Sequence, residues 1–474
     1  MTTLIGRRGG RAPVALVLVP MIPAAAVFGA LIAARPAMAI GLAAAAAVFA
    51  LAFLAPATHL TLLLVATAIV PYDLQNAYGF GGGAGLIMSD VLLISAFVAA
   101  VPAVFRVPLS PRLLLAAAGI GVVLLVAVVQ AARGYQAGAP ASLTGYELRS
   151  LLGWATVFIV LPLIADAERR RRLFTGLVVV GILLGLWGLI QYFVNIPIIG
   201  GGSSGVRQDI NFTEGARSIQ GGLFGFPIAF LLGLAALSAG TVRGRLQRGA
   251  LLAVVSLNGI ALLLTYQRTF WLAAIIGFLF LVVRAGRGQR VKAILFLVGA
   301  AVVVLPVLAV TSPGALTAVQ QRFLSLGQYS SDDSVRTRIV ETRAVAAAVR
   351  DAPLGGSGLG AQVEFGWPWL QVEPRPTPYT HNGYLWLAWK LGIPAALLLV
   401  LLAVWAIAAR GSPDLSPLHQ RVRHGAQAGL LLSLTVSLTF PAFRAMAITT
   451  TLGILLALSF MGPLAPPSRA VSRQ

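Results

Sequence analysis

Four histidines are the side chains of this 474-residue chain best suited to exchanging a proton near neutral pH, and one of them has an unusual position. His381 lies in the segment Thr380-His-Asn-Gly-Tyr-Leu385, immediately before a long apolar run. A histidine at such a boundary can face a shielded, partly hydrated cavity and act as an acid or base. It can equally be an interfacial residue that caps the following helix, and position alone leaves both interpretations open.

Arginines form the second set of candidate residues. Arg268 lies between two apolar runs, Arg336 and Arg338 lie in a predicted loop helix, and Arg217 lies in a polar loop. Guanidinium groups bind diphosphate oxygens through paired, charge-assisted hydrogen bonds and can stabilise charge on a leaving phosphate. Structural alternatives stay open, because Arg268 can be an interfacial turn residue, Arg217 can be solvated, and Arg444 can have either role.

The chain contains no cysteine and no cluster of metal-ligand residues, so we expect neither a metal nor a cofactor. Asp332 and Asp333 are interpreted as a helix cap. Asp90 is an intramembrane carboxylate, which indicates function by default, although a helix N-terminus also favours aspartate. The glycine-rich stretches at 81–85, 200–205 and 355–360 lack the strand and the Gly-Lys-Ser/Thr of a phosphate loop, and they are interpreted as flexible turns.

The composition indicates the elements that must position these residues. With 58% hydrophobic residues, 10% charged residues and a mean hydropathy of +0.88, the chain is too apolar for soluble domains. Its apolar runs predict an all-α, polytopic membrane protein with about 12–14 transmembrane helices. The predicted segments are 13–34, 36–55, 58–71, 86–105, 113–131, 150–165, 173–193, 220–240, 249–267, 269–283, 293–311, 383–408, 425–442 and 446–462.

The formal net charge of +21 is interpreted as a topological signal rather than as a nucleic-acid-binding surface. Placing both termini in the cytoplasm brings the main basic clusters to that side, as the positive-inside rule requires, and leaves His381 as the one histidine outside. We favour an uncleaved first helix at the N-terminus, and the alternative is a cleaved signal peptide. The clusters are Arg7/Arg8/Arg11, Arg106/Arg112, Arg169 to Arg172, Arg243/Arg245/Arg248, Arg284/Arg287/Arg290/Lys292, Arg410/Arg421/Arg423 and Arg469/Arg473.

The longest connection divides the chain into three regions: N-terminal membrane helices at 1–311, an extracytoplasmic loop at 312–382, and C-terminal membrane helices with a tail at 383–474. A loop of this length is expected to be partly folded and functional. Within it, residues 334–350 predict a helix with an apolar side formed by Val335, Ile339 and Ala346. The prolines at 368, 374, 376 and 378 predict an extended approach to the next membrane helix.

Three motifs, taken together, resemble the superfamily of O-antigen ligases and O-antigen (polysaccharide) polymerases. The segment from Thr380 to Leu385 resembles the His-Asn/Ser-x-x-Leu signature that closes the long loop of that family. The stretch from Arg336 to Gly360 is similar to its loop arginine, amphipathic helix and Pro-Leu-x-Gly-x-Gly turn. Arg268 occupies the place of its Ser-Arg-Gly arginine, with Thr269 where glycine is usual, and Arg217 resembles its upstream arginine.

The resemblance implies a GT-C-like, metal-independent, inverting glycosyltransferase in the bacterial cytoplasmic membrane. Its implied partners are an undecaprenyl-diphosphate-linked glycan donor, a glycan or lipid acceptor and membrane lipids, with no nucleic acid. His381 would activate the acceptor, while Arg268 and Arg336 or Arg338 would hold the diphosphate. Arg217 would assist them, and Asn382 and Tyr384 complete the predicted substrate-binding set.

Several functional alternatives stay open at this stage. Ligases and polymerases share a donor site, and the sequence does not separate them. A transporter or lipid flippase would also have many helices and buried arginines, although the expected repeat between halves is not visible. A membrane scaffold is a third alternative, and it predicts that neither His381 nor Arg268 is needed for activity.

Overall fold

The computed structural model describes residues 36–70, 75, 86–105, 110–194, 207–208, 217–219, 221–242, 244–286, 288, 290–291, 294, 314, 317, 319–321, 333–367, 372–411 and 414–462. The predicted helix at 13–34 lies outside these residues, and the predicted helix at 293–311 lies outside them except for Ile294. The glycine-rich stretches at 81–85 and 200–205 are likewise outside.

The described chain is mostly helical, with fifteen α-helices and two short hairpins. The helices are α1 (Pro36–Leu54), α2 (Pro56–Ala68), α3 (Met88–Val104), α4 (Pro111–Gln136), α5 (Ala141–Leu152), α6 (Thr156–Ile164), α7 (Ala167–Val194), α8 (Gly225–Leu237), α9 (Arg245–Leu263), α10 (Arg268–Val283), α11 (Asp333–Asp351), α12 (Gly383–Leu391), α13 (Ile393–Ala408), α14 (Pro417–Val436) and α15 (Met446–Ser459). The antiparallel hairpins pair β1 (Arg207–Gln208) with β2 (Arg217–Ser218) and β3 (Val363–Trp367) with β4 (Val372–Thr377).

The apolar helices account for the membrane character of the chain. Four stretches among the described residues, Pro111–Gln136, Ala141–Ile164, Ala167–Val194 and Arg245–Leu263, are long and apolar enough to cross a bilayer, and six shorter apolar helices accompany them. Leucines on α4 such as Leu115 and Leu125 are more than 60% exposed, as a lipid-facing surface requires. The protein is therefore an all-α polytopic membrane protein, as the composition predicts.

The predicted single helix at 383–408 is interrupted, and the structure divides it into α12 and α13 at Gly392. This glycine has φ +87°, and a Cβ atom built on it would lie 2.1 Å from the carbonyl oxygen of Leu354. Only glycine combines this left-handed backbone with such a close approach. The interruption lets the turn that follows α11 pack directly against the joint between α12 and α13.

The long loop contains the predicted helix, α11, whose bounds confirm the prediction closely. Its predicted apolar side is wrong in one respect, because Ile339 is 46% exposed. The buried side instead carries Glu341, Val345 and Val349. The buried side of α11 is thus rotated by about one residue from the predicted apolar side. A hydrophobicity pattern does not reveal this rotation, because the buried side contains a charged residue.

The glycine-rich turn after α11 is packed rather than flexible. Gln130 lies near the end of α4, and its side-chain N–H donates to the carbonyl of Gly355 at 2.5 Å. The backbone carbonyl of Gln130 accepts from the Leu359 N–H at 3.0 Å. The Gly360 N–H donates to Glu147 Oε2 on α5 at 2.7 Å. These bonds use the backbone groups of the turn, so the interpretation of 355–360 as a flexible turn is wrong.

A buried ion pair joins this turn to the membrane helices. Lys390 Nζ on α12 lies 3.0 Å from Glu147 Oε1 on α5, and both side chains are fully buried. Lys390 also donates to the carbonyl of Ala361 at 2.5 Å. The Glu147–Lys390 pair therefore holds α5, the end of α12 and the glycine-rich turn together.

Candidate active site

The side chains of His381 and Glu341 form the centre of the candidate site. His381 Nδ1 lies 2.7 Å from Glu341 Oε2, and the backbone N–H of His381 donates to the same oxygen at 3.2 Å. The Glu341 side chain is completely buried on α11, whereas 31% of the His381 side chain is exposed. The loop helix therefore supplies a carboxylate that fixes the orientation of the histidine at the start of α12.

The pairing assigns different roles to the two ring nitrogens. With Glu341 ionised and the imidazole neutral, Nδ1 of His381 donates to Glu341 and Nε2 keeps its lone pair. The partial exposure of the ring lets a ligand reach that lone pair. Glu341 Oε1 is also buried and has no hydrogen-bond partner among the described residues. An imidazole held in this way can act chemically as a base.

Asn382, rather than His381, caps α12. The Asn382 side chain accepts from the backbone N–H groups of Tyr384 at 3.0 Å and Leu385 at 3.1 Å. These two bonds satisfy N–H groups that the first turn of a helix leaves without intrahelical partners. The interpretation of His381 as the helix cap is therefore wrong. Asn382 also fixes the backbone next to the histidine, and its contact with a substrate stays a prediction.

The starts of α10 and α12 adjoin the same turn, at 437–440. The Gly383 N–H donates to the carbonyl of Ser437 at 2.8 Å, and the Thr439 hydroxyl bonds to that of Thr269 at 3.1 Å. Arg268 is the first residue of α10 and is partly buried. The turn thus brings the neighbourhoods of Arg268 and His381 together, although more than a hundred residues separate them in sequence.

The approach to Arg268 is conformationally unusual. Tyr266 has φ +51°, and no other non-glycine residue among the described ones has a positive φ. Such backbone strain is found preferentially at functional sites. The Ile219 N–H donates to the carbonyl of Leu264 at 3.2 Å, so β2 and the backbone of Arg217 run beside this turn. The side chain of Arg217 lies outside the described part of the structure.

The two arginines of the loop helix differ in placement. Arg338 precedes Glu341 by three residues, so it lies on the same side of α11, and it is partly buried. Arg336 is two residues further back, which places it on another side, and it is exposed. The structure therefore groups Arg338, and not Arg336, with the buried carboxylate.

Tyr384 is directed into the helix bundle. Its hydroxyl donates to the carbonyl of Leu434 on α14 at 2.5 Å, and its ring packs edge-on against Phe443 with centroids 6.1 Å apart. These contacts anchor α12 to α14 within the protein. A contact between Tyr384 and a substrate stays a prediction.

Other polar candidates have structural partners away from this cluster. Asp90 accepts from Arg149 Nε at 2.8 Å and from the Ile87 N–H at the start of α3, so it is both an ion-pair and a capping residue. His59 is fully buried and bonds to Ser95 and to the carbonyl of Leu92. His419 lies in the first turn of α14, about 27 Å along that helix from the turn at 437–440.

Two further residues complete the cluster around His381. The ring of Tyr379 packs edge-on against the imidazole with centroids 5.5 Å apart, and the guanidinium carbon of Arg444 lies 5.4 Å from the Tyr379 ring centroid. Neither Tyr379 nor Glu341 is identifiable from the sequence pattern. Within the described ranges, no three His, Asp or Glu side chains are grouped as a metal site requires.

Comparison with known proteins gives one finding that bears on this cluster. Residues 251–400 match the model of a protein family described as O-antigen ligase. The match begins within α9 and ends within α13, so it includes Arg268, Arg338, Glu341 and His381. No curated protein matches the chain.

Proposed function

Since the chain belongs to the O-antigen ligase and polymerase superfamily, whose members process glycans in membranes, we propose that it is a glycosyltransferase acting on undecaprenyl-diphosphate-linked glycan. The observation that carries the proposal is the 2.7 Å contact between buried Glu341 and partly exposed His381. A buried carboxylate that holds the imidazole in one orientation and stabilises its protonated form suits a general base. The nearby arginines supply the positive charge that a diphosphate donor requires.

In the proposed reaction, Nε2 of His381 accepts the proton of the acceptor hydroxyl. The hydroxyl oxygen forms a bond to the anomeric carbon of the donor sugar on the face opposite the diphosphate. The bond between that carbon and the diphosphate oxygen breaks, and its electron pair leaves with the carrier. One displacement of this kind inverts the configuration of the transferred sugar. Glu341 stabilises the imidazolium that forms.

Arg268 and Arg338 are proposed to hold and neutralise the leaving diphosphate. Arg268 starts a helix beside the turn that contacts Gly383, and Arg338 shares a side of α11 with Glu341. Arg217 assists from β2, and Arg336 is a more distant contributor because it is exposed on another side of α11. Arginine suits this role because it stays charged when partly desolvated and offers paired donors.

We further propose that the site lies on the outer face of the bacterial cytoplasmic membrane. The basic clusters support this orientation, with both termini in the cytoplasm and the loop at 312–382 outside, between membrane regions at 1–311 and 383–474. The described histidines support it too, since His419 and His381 lie near opposite ends of α14. The acceptor is lipid A core or another molecule for a ligase, and a lipid-linked repeat for a polymerase.

The proposal is tested in cells that carry His381→Ala or Arg268→Ala, beside a null strain. His419→Ala serves as the matched control, because it removes a histidine from the opposite end of α14. At equal membrane abundance, we expect both test variants to match the null strain and to accumulate lipid-linked intermediates. Single repeats then indicate a polymerase, and unattached long chains indicate a ligase. Unchanged glycans in both variants would favour a transporter or a scaffold instead.

A further inference from the structure

Arg444 has a well-defined position beside the candidate site. It ends a short 3₁₀ turn (Ala442–Arg444) between α14 and α15, and its carbonyl accepts from the Ser150 hydroxyl on α5 at 2.7 Å. Its N–H donates to the carbonyl of Pro441 at 3.1 Å. The backbone of Arg444 is thus fixed against the membrane helices, independently of its side chain.

The guanidinium group of Arg444 lies between two tyrosine rings. Its central carbon is 5.4 Å from the ring centroid of Tyr146 on α5 and 5.4 Å from that of Tyr379 in the loop. Aromatic faces attract the cation and hold it in place, but they use none of its N–H donors. Arg444 Nε is buried and has no hydrogen-bond partner among the described residues.

Two buried carboxylates of this region are already engaged with other groups. Glu147 forms the buried pair with Lys390 and accepts from Gly360, and Glu341 binds His381. No described carboxylate lies within ion-pair distance of Arg444. A partly buried cation whose guanidinium has no hydrogen bond or ion pair to any described residue is well placed to bind an anionic partner.

Tyr379 connects this cation to the proposed chemistry. The same ring that contacts Arg444 packs against the imidazole of His381, so a single aromatic side chain separates the guanidinium from the proposed base. Burial and the Glu341 carboxylate raise the pKa of the Tyr379 phenol, so it stays a neutral hydrogen-bond donor at physiological pH. Cation, phenol and imidazole therefore lie next to one another.

We infer that Arg444 is a further substrate-binding residue, whose guanidinium contacts a phosphate oxygen of the lipid-linked glycan. This inference rests on the proposed function. Phosphate is the favoured partner because every undecaprenyl-diphosphate-linked substrate carries it, whatever its sugars. The paired donors of a guanidinium match phosphate oxygens, and the tyrosine rings orient them before the ligand arrives.

The test measures binding of farnesyl diphosphate to the full-length protein in detergent micelles, with farnesol as the uncharged probe. Arg444→Gln is expected to weaken farnesyl diphosphate binding about ten- to a hundredfold, because a charge-assisted contact is lost. Arg444→Lys should have an intermediate effect, and farnesol binding should not change. Arg410→Gln, which removes one exposed positive charge beyond the far end of α13, is the matched control and should bind normally.

Three results would overturn the inference. They are wild-type affinity for farnesyl diphosphate in Arg444→Gln, an equal loss of both probes as general unfolding produces, and no binding of farnesyl diphosphate by the wild-type chain. The inference and the proposed function fail in different ways. Inactive His381→Ala with normal binding by Arg444→Gln would remove only the Arg444 contact, whereas active His381→Ala would overturn the proposed function itself.

Discussion

His381 Nδ1 and Glu341 Oε2 lie 2.7 Å apart although forty positions separate the two residues in sequence. One residue lies where the chain enters α12, and the other lies in the buried stripe of the loop helix. The contact makes the orientation of the proposed base dependent on the docking of the whole loop. Residues that hold the loop in place should therefore affect activity even though they do not touch a substrate.

Glu341→Gln should lower kcat about ten- to a hundredfold and change KM little. The amide keeps the shape of the side chain but loses the negative charge that stabilises the imidazolium in the transition state. The measurement is a glycan-transfer assay on purified protein. Glu364→Gln is the matched control, because Glu364 is an exposed carboxylate on β3 of the same loop. Wild-type kcat for Glu341→Gln would contradict the proposed role.

Asn382→Ala should destabilise the protein by about 1 kcal/mol and also lower the transfer rate. The substitution removes the cap of α12 and loosens the backbone that carries His381. Asn382→Ser keeps a capping oxygen and should recover most of both properties. Thermal unfolding in detergent and the transfer assay measure the two effects. Equal behaviour of the alanine and serine variants would show that capping is not what Asn382 contributes.

Lys390→Met should destabilise the protein by about 3–5 kcal/mol, because it leaves the buried Glu147 carboxylate without its charged partner. The double variant Glu147→Gln with Lys390→Met should be more stable than Lys390→Met alone. Its glutamine is neutral and can still accept the hydrogen bond from Gly360. The midpoint of thermal inactivation in detergent compares the variants. A double variant less stable than the single one would indicate that charge is not the dominant cost.

Gly392→Ala should be far more harmful than Gly138→Ala, although both glycines have positive φ values, +87° and +83°. A methyl group at Gly138 would meet no atom within 4 Å, so only backbone strain of about 1 kcal/mol is expected there. At Gly392 it would lie 2.1 Å from the carbonyl oxygen of Leu354. Membrane abundance and thermal stability measure the difference, and similar values would show that the turn can move away.

The helix array was predictable because crossing a bilayer demands long apolar runs, whatever the tertiary packing. Each of α4, α7 and α10 contains its predicted segment, and the helix α10 begins one residue before the predicted start and ends at the predicted end. The interruption at Gly392 was not predictable in the same way, since glycine and proline are both tolerated inside membrane helices. It follows from the close packing of the Leu354 carbonyl, which is a contact between distant segments.

The sequence by itself determined that this is an all-α membrane protein and that His381 stands at the end of a long, partly helical loop. It did so because hydrophobicity and chain order are local properties. Only the tertiary structure decided which carboxylate orients the histidine, which loop arginine shares its side of α11, and where Arg444 lies. Those facts depend on the rotation of α11 and on the turn at 437–440, both set by packing between distant residues, and no periodicity in the sequence records such contacts.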